Sequence, residues 1–259
     1  MKTNSPLRLY LIRHGETAWS LSGQYTGRAD IPLTAHGEEA ARAVGVRLRG
    51  IPFAHVLTSP LQRAQQTCRL AGLGAGLEAG LGQVPAIEPD LAEWDNGDDE
   101  GRTPAEILAA RPGWNLFRDG SPHGETPAQI SARADHLIAR LRALDGNVAL
   151  FSHGHFGRVL AARWIGLAVG QAQHFLFDTA ALSILAYEHN RADSPAIALW
   201  NSSAHEAFDL ASNRRVDDTS PIIEQAIERW ENEGGEIPQS AQPQVAHRAA
   251  DAQPTKAQR

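Results

Sequence analysis

The sequence predicts a three-layer α/β/α sandwich around a mostly parallel sheet. Two observations carry that expectation. Apolar runs such as Leu7-Arg8-Leu9-Tyr10-Leu11-Ile12 and Val148-Ala149-Leu150-Phe151 lack the polar alternation of a sheet with one wet face, so they read as strands buried on both sides. Between them lie segments whose apolar residues recur at helical spacing. Strands alternating with helices favour parallel pairing, with helices covering both faces.

The first strand, Leu7–Ile12, ends in the polar cluster Arg13-His14-Gly15-Glu16-Thr17. A helix follows over Thr34–Leu48, with Ala40, Ala41, Val44 and Leu48 on one face. A short strand at His55–Thr58 is broken by Ser59-Pro60. These two residues read as N-cap and first helical position, with Gln62 completing a capping box. The same signature recurs at Thr103-Pro104-Ala105-Glu106 and Thr126-Pro127-Ala128-Gln129. The helix from Thr126 carries Ile130, Ala134, Leu137, Ile138, Leu141 and Leu144, and Asp145-Gly146-Asn147 ends it. The strand Val148–Phe151 leads through Ser152-His153-Gly154-His155 into a helix reaching Ile165, and further strands fall at Leu182–Tyr187 and Ala196–Trp200. The Gly- and Ala-rich stretch Ala71–Gly82 lacks the lysine and lead-in strand of a phosphate-cradling loop and reads as a connector.

Composition excludes several functions. The 259 residues include one cysteine, Cys68, which can neither bridge within the chain nor build a thiolate metal cage, so a reducing, cytoplasmic setting is expected. Thirty acidic residues outweigh 24 Lys and Arg, a net charge of −6 that argues against a nucleic-acid or anionic-membrane surface. Leu9-Tyr10-Leu11-Ile12 is too short for a signal peptide's apolar core, and no apolar run approaches the ~20 residues of a membrane span.

Three strand-to-helix junctions carry the chemistry. They deliver Arg13 and His14, then Ser59 and Arg63, then Ser152 and His153. Ligands of open α/β sheets bind beyond the carboxyl ends of the strands, where helix N-termini present free N–H groups. Arginines and histidines converging there form an anion pocket, and the arginine fork suits phosphate oxygens. A neutral imidazole is also a nucleophile toward phosphorus. Phosphoryl transfer further needs a proton for the leaving oxygen. Glu93, beside Trp94 and near a buried phosphate, is placed to have the raised pKa of an acid. Arg163 or His155 is a candidate contact for a second anionic group. The acidic run Asp95-Asn96-Gly97-Asp98-Asp99-Glu100 lacks calcium-loop spacing and reads as a solvated turn at the pocket rim.

Leu11-Ile12-Arg13-His14-Gly15-Glu16-Thr17 resembles the signature of the histidine phosphatase superfamily, the phosphoglycerate-mutase-like fold. Thr26-Gly27-Arg28, Leu33-Thr34-Ala35-His36-Gly37, Thr58-Ser59-Pro60-Leu61-Gln62-Arg63, Leu91-Ala92-Glu93, Gly124-Glu125-Thr126 and Ser152-His153-Gly154 follow in family order. The resemblance implies that His14 is the nucleophile that becomes phosphohistidine. It implies that Arg13, Arg63 and His153 clamp the phosphoryl group, that Ser20 and Gly154 contact it, and that Glu93 protonates the leaving oxygen. No metal or cofactor is implied, because cationic side chains carry the charge. Residues 1–205 would form the catalytic domain, 206–235 an extension with a helix from Ser220-Pro221, and 236–259 a disordered tail.

Two chemistries share this constellation, hydrolysis and mutase-type phosphoryl transfer. The segments on either side of Glu93 are short for a mutase cap, and Asp90-Leu91-Ala92 stands where mutases of this family carry Asn-Glu-Arg. The stretch His153–Trp164, Asp178–Ser183, and Tyr187-Glu188-His189 resemble the branch of sugar bisphosphatases and broad-specificity acid phosphatases. The expected function is therefore hydrolysis of a small phosphorylated metabolite, a phosphorylated sugar or carboxylate, with sugar phosphates foremost. An inactive scaffold would have no reason to keep His14, Arg63, Glu93 and His153 together.

Overall fold

The computed structural model describes residues 6–73 and 84–203. The extension at 206–235, the tail at 236–259 and residues 74–82 of the connector lie outside the described residues. Strand β1 (Arg8–Arg13) takes a central place because its side chains have no polar face to keep wet: Leu9, Leu11 and Ile12 are fully buried. It pairs in parallel with β4 (Asn147–Ser152), Leu9 opposite Val148 and Leu11 opposite Leu150. β4 pairs in parallel with β2 (Phe53–Thr58), and β2 with the two-residue β3 (Ala86–Ile87). On the other flank of β1, β5 (Leu182–Tyr187) and β6 (Pro195–Ser202) run antiparallel, giving the order β3-β2-β4-β1-β5-β6. The sheet is mixed and mostly parallel, as the sequence predicts.

Alternation along the central strands divides the core into two layers. Leu9, Leu11, Val148 and Leu150 face α6 (Pro127–Leu141) and α7 (Gly154–Trp164). Tyr10, Ile12, Ala149 and Phe151 face α2 (Ala35–Leu48) and α3 (Gln62–Leu70). Each large side chain so buried contributes about 1.5–3 kcal/mol. The short helices α1 (Ala18–Ser22), α4 (Pro104–Ala110) and α5 (Leu116–Asp119) lie in the connections.

The capping boxes expected at Thr103 and Thr126 are both present. The one expected at Ser59 is not: α3 starts at Gln62 with Leu61 as its cap residue. Ser59 continues the sheet end instead, its N–H donating to Phe151 O at 2.9 Å, and its hydroxyl bonds the His153 ring at 2.7 Å. The same hydroxyl still accepts from Leu61 N–H at 3.2 Å, so a tertiary partner shares the side chain that local sequence assigned to the helix alone. The helix from Thr126 also closes at Leu141, before the expected Asp145-Gly146-Asn147, and Leu144 only packs against the core edge.

Candidate active site

Because β1, β4 and β2 are parallel, their carboxyl ends reach one edge of the sheet together. Backbone bonds lock the three junctions: His14 N–H to Ser152 O at 3.0 Å, and Ser59 N–H to Phe151 O at 2.9 Å. The loop after β1 is pinned from α3 as well. Gly15 N–H donates to Thr67 Oγ1 at 2.9 Å, and that hydroxyl donates to Arg63 O at 2.7 Å. The start of α2 closes over the same loop so tightly that a Cβ on Gly37 would fall 2.1 Å from Glu16 O. Only glycine permits that approach.

His14 is 3% exposed, and its Nδ1 lies 2.7 Å from Gly15 O. A carbonyl only accepts, so Nδ1 carries the proton and a neutral ring leaves the Nε2 lone pair available. The ring does stay neutral: burial, reinforced by Arg63 and Arg13, holds its pKa well below the ordinary histidine value. His153 takes the opposite tautomer by the same logic. Its Nδ1 accepts from Arg63 Nε at 3.1 Å, so its proton sits on Nε2, donated to Ser59 Oγ at 2.7 Å. Burial first, then Arg63, His14, Arg13 and Arg133, also depress the His153 pKa well below 6.5. The two rings lie 5.2 Å apart.

Arg63 is fully buried, its remaining nitrogens donating to Ala29 O at 2.8 Å and Gly27 O at 3.0 Å. Burial lowers its pKa to about 10, which leaves it cationic at neutral pH. Arg13 lies against the N-terminus of α7, where a Cβ on Gly154 would come 3.1 Å from its Cζ, and it donates to Phe177 O. Glu93 is 8% exposed and fully engaged by backbone donors: Oε1 accepts from Trp94 and Phe156 at 2.8 Å, Oε2 from His155 at 3.1 Å. Two of those donors are the free N–H groups of the first turn of α7. Ser20 completes a capping box at the start of α1, its hydroxyl bonded to Thr17 N–H at 2.8 Å and to Thr17 O at 3.0 Å.

A cleft of roughly 470 Å3, counted out to its mouth, opens over these residues. Arg13, His14, Ser20, Glu93 and Gly154 line it, while Arg63 and His153 are buried next to His14. An unprotonated imidazole nitrogen, the Arg13 cation and a carboxyl group thus border one small opening. Residues 9–203 match the family described as Histidine phosphatase superfamily (branch 1).

The chain belongs to the histidine phosphatase superfamily.

Among the relatives of this histidine phosphatase is the acid phosphatase of Mycobacterium tuberculosis, 38% identical over 70% of this chain and 87% of its own. Another is the sedoheptulose 1,7-bisphosphatase of Saccharomyces cerevisiae, 32% identical over 74% of this chain and 92% of its own. Proteins named as probable phosphoglycerate mutases are among them too. A solved structure of a Mycobacterium tuberculosis open reading frame superposes with a TM-score of 0.70 at 35% identity, covering 76% of this chain and 98% of its own.

Two sequence expectations change in this histidine phosphatase. Arg163 meets no second anionic group at the cleft; it lies in the last turn of α7 with both oxygens of Asp135 at 2.8 and 2.9 Å. His155 does line the cleft, its ring stacked on Tyr25 at 5.1 Å. The acidic run is no solvated turn. Asp99 is fully buried between Arg102 and Arg111, and Glu100 accepts from the N–H groups of Arg28 and Ala29. Sequence reasoning also missed Ser59 as a partner of His153, and Gln24 and Tyr25 as cleft residues. Tyr25 directly precedes Thr26-Gly27-Arg28, and that adjacency was the available signal.

Proposed function

We infer that the protein is a phosphomonoesterase acting on small phosphorylated metabolites, sugar phosphates foremost, through a phosphohistidine on His14. The observation that carries this reading is the His14 ring: neutral, with its proton on Nδ1 and its Nε2 lone pair free, among cations at the edge of a cleft that also holds Glu93. The Nε2 lone pair forms the N–P bond as the P–O bond to the alcohol breaks, and the departing oxygen takes the proton from Glu93. Water then attacks phosphorus, the N–P bond breaks, inorganic phosphate leaves and the water's proton returns to Glu93. Arg13 and Arg63, with the N-terminus of α7 at Gly154, stabilise the equatorial oxygens, and His153 joins them as a donor once the arriving anionic phosphoryl group draws a proton onto its ring. Ser20 joins them once its hydroxyl turns from Thr17. Arg13 and Arg63 supply the positive charge, so no metal is required. Hydrolysis rather than mutase transfer is supported by the short cover between Glu93 and Gly124, a single 3-10 turn and helices α4 and α5.

The test is phosphate release from p-nitrophenyl phosphate and a panel of phosphorylated metabolites in EDTA, wild type against His14→Ala. Turnover in EDTA that His14→Ala abolishes is expected, with an acid-labile phosphoryl label on the wild type alone. A wild type that releases no phosphate, or one silenced by EDTA, overturns the reading. Isomerisation of 3-phosphoglycerate outrunning phosphate release when 2,3-bisphosphoglycerate is added would make the enzyme a mutase.

A further inference from the structure

The motif Gly124-Glu125-Thr126 has no part in the chemistry above, and neither Glu125 nor any residue of α6 lines the cleft. Yet Glu125 is tied to the segment that carries Glu93. Its N–H donates to Asp95 O at 2.8 Å, and its carbonyl accepts from Trp94 Nε1 at 2.7 Å. Its carboxylate takes the Arg133 fork in a bidentate pair, Nε to Oε1 at 2.8 Å and Nη2 to Oε2 at 2.7 Å. The rest of that guanidinium faces the same segment. Nη1 donates to Asp90 O and Ala92 O, both at 2.8 Å, and Nη2 reaches Glu93 O at 3.3 Å. Its Cζ lies 4.3 Å from the ring centroid of Phe156, the residue whose N–H binds Glu93 Oε1.

One planar group therefore fixes the carbonyls of Asp90, Ala92 and Glu93 and touches the side chain of Phe156, whose N–H holds the carboxyl. Both partners of the ion pair are largely buried, with side chains 17% and 15% exposed, so this is no loose surface bridge. A rigid fork with several donors can serve carbonyls and a carboxylate at once, which a lysine ammonium on its flexible stem cannot. Proton transfer is sensitive to such positioning, since a misplacement of about 1 Å costs on the order of 100-fold in rate.

We propose that Arg133, oriented by Glu125, is a positioning residue that holds the Glu93 carboxyl in line with the leaving oxygen. The inference rests on the reading of Glu93 as the acid, and its test separates the two. kcat/KM reports histidine phosphorylation, and it is measured on p-nitrophenyl phosphate and phenyl phosphate. The two share one aryl phosphate frame, but phenolate, with a conjugate-acid pKa of about 10 as in tyrosine, needs a proton far more than nitrophenolate does. Arg133→Lys keeps charge and stem but loses the fork; Glu125→Gln keeps volume but loses the ion pair; Glu93→Gln is the reference. All three are expected to lose roughly ten-fold more on phenyl than on p-nitrophenyl phosphate, within the range that general acids contribute. A structural defect would lower both substrates alike. Equal losses in Arg133→Lys and Glu125→Gln beside a leaving-group-dependent Glu93→Gln overturn the positioning role alone. Equal losses in Glu93→Gln remove the acid and the clamp together. Thermal unfolding of each variant is read in parallel; if Arg133→Lys melts below the assay temperature, Glu125→Gln decides by the same ratio.

Discussion

Acidification should unfold this protein through its own active site. Both His14 and His153 are buried beside cationic arginines and stay neutral where a solvated histidine would charge. In the unfolded chain each returns to an ordinary pKa of about 6.5. Below that pH the unfolded state binds protons that the folded state refuses, so stability falls as pH falls, and it is recovered in full above 6.5. For a group that stays neutral when folded, moving from pH 7 to 5.5 costs about 1.3 kcal/mol by this linkage, and the pair about 2.5 kcal/mol. The window stops short of the range where carboxylates titrate. The assay is urea unfolding at a series of pH values in phosphate-free buffer, since a bound anion would stabilise the folded state. His14→Gln and His153→Gln should each remove about half of the wild-type decline. A wild type whose unfolding free energy is flat across the window would refute the reasoning, as would variants that decline as steeply as the wild type.

Two further substitutions probe the scaffold around the site. Glu100→Gln replaces one of the two carboxylate oxygens that accept from the Arg28 and Ala29 N–H groups with an amide donor, loosening the turn whose carbonyls hold Arg63. A lost charge-assisted bond of about 1.5–3 kcal/mol predicts a drop of at least ten-fold in kcat/KM on p-nitrophenyl phosphate, and an unchanged value would remove Glu100 from the support of Arg63. Gly37→Ala would force a Cβ to 2.1 Å from Glu16 O, an overpacking cost of about 1–3 kcal/mol. Calorimetry should show a lowered Tm for Gly37→Ala but not for Gly170→Ala, where nothing lies within 4 Å; equal melting would refute the contact.

What the sequence discloses of this protein follows the range of the interactions involved. The central strands were legible because burial on both faces demands unbroken apolar runs, and the helix starts at Thr103 and Thr126 because a capping box is closed within four residues. The two-residue strand at Ala86–Ile87 was not: both side chains are exposed at the sheet edge, so no hydrophobic pattern marks it. The same division runs through the site. Arg13, His14, Arg63, Glu93 and His153 sit in motifs beside strand or helix ends, and the parallel register alone brings several of them to one edge. The residues that hold them do not announce themselves, because their partners are remote in sequence: Ser59 bonds His153 across 94 positions, Glu100 binds the turn at Arg28 across 72, and Arg133 grips Asp90 across 43. The first two looked like something local, a helix cap and a solvated acid, and no motif marks Arg133 at all. Chemistry that uses a nucleophile and an acid can be read from motifs, but its precision comes from groups whose local sequence gives them a different and plausible role. Such groups identify themselves in one way, by spending a charge or a hydroxyl on backbone carbonyls and amides of another element while a cheaper solvent-facing alternative exists.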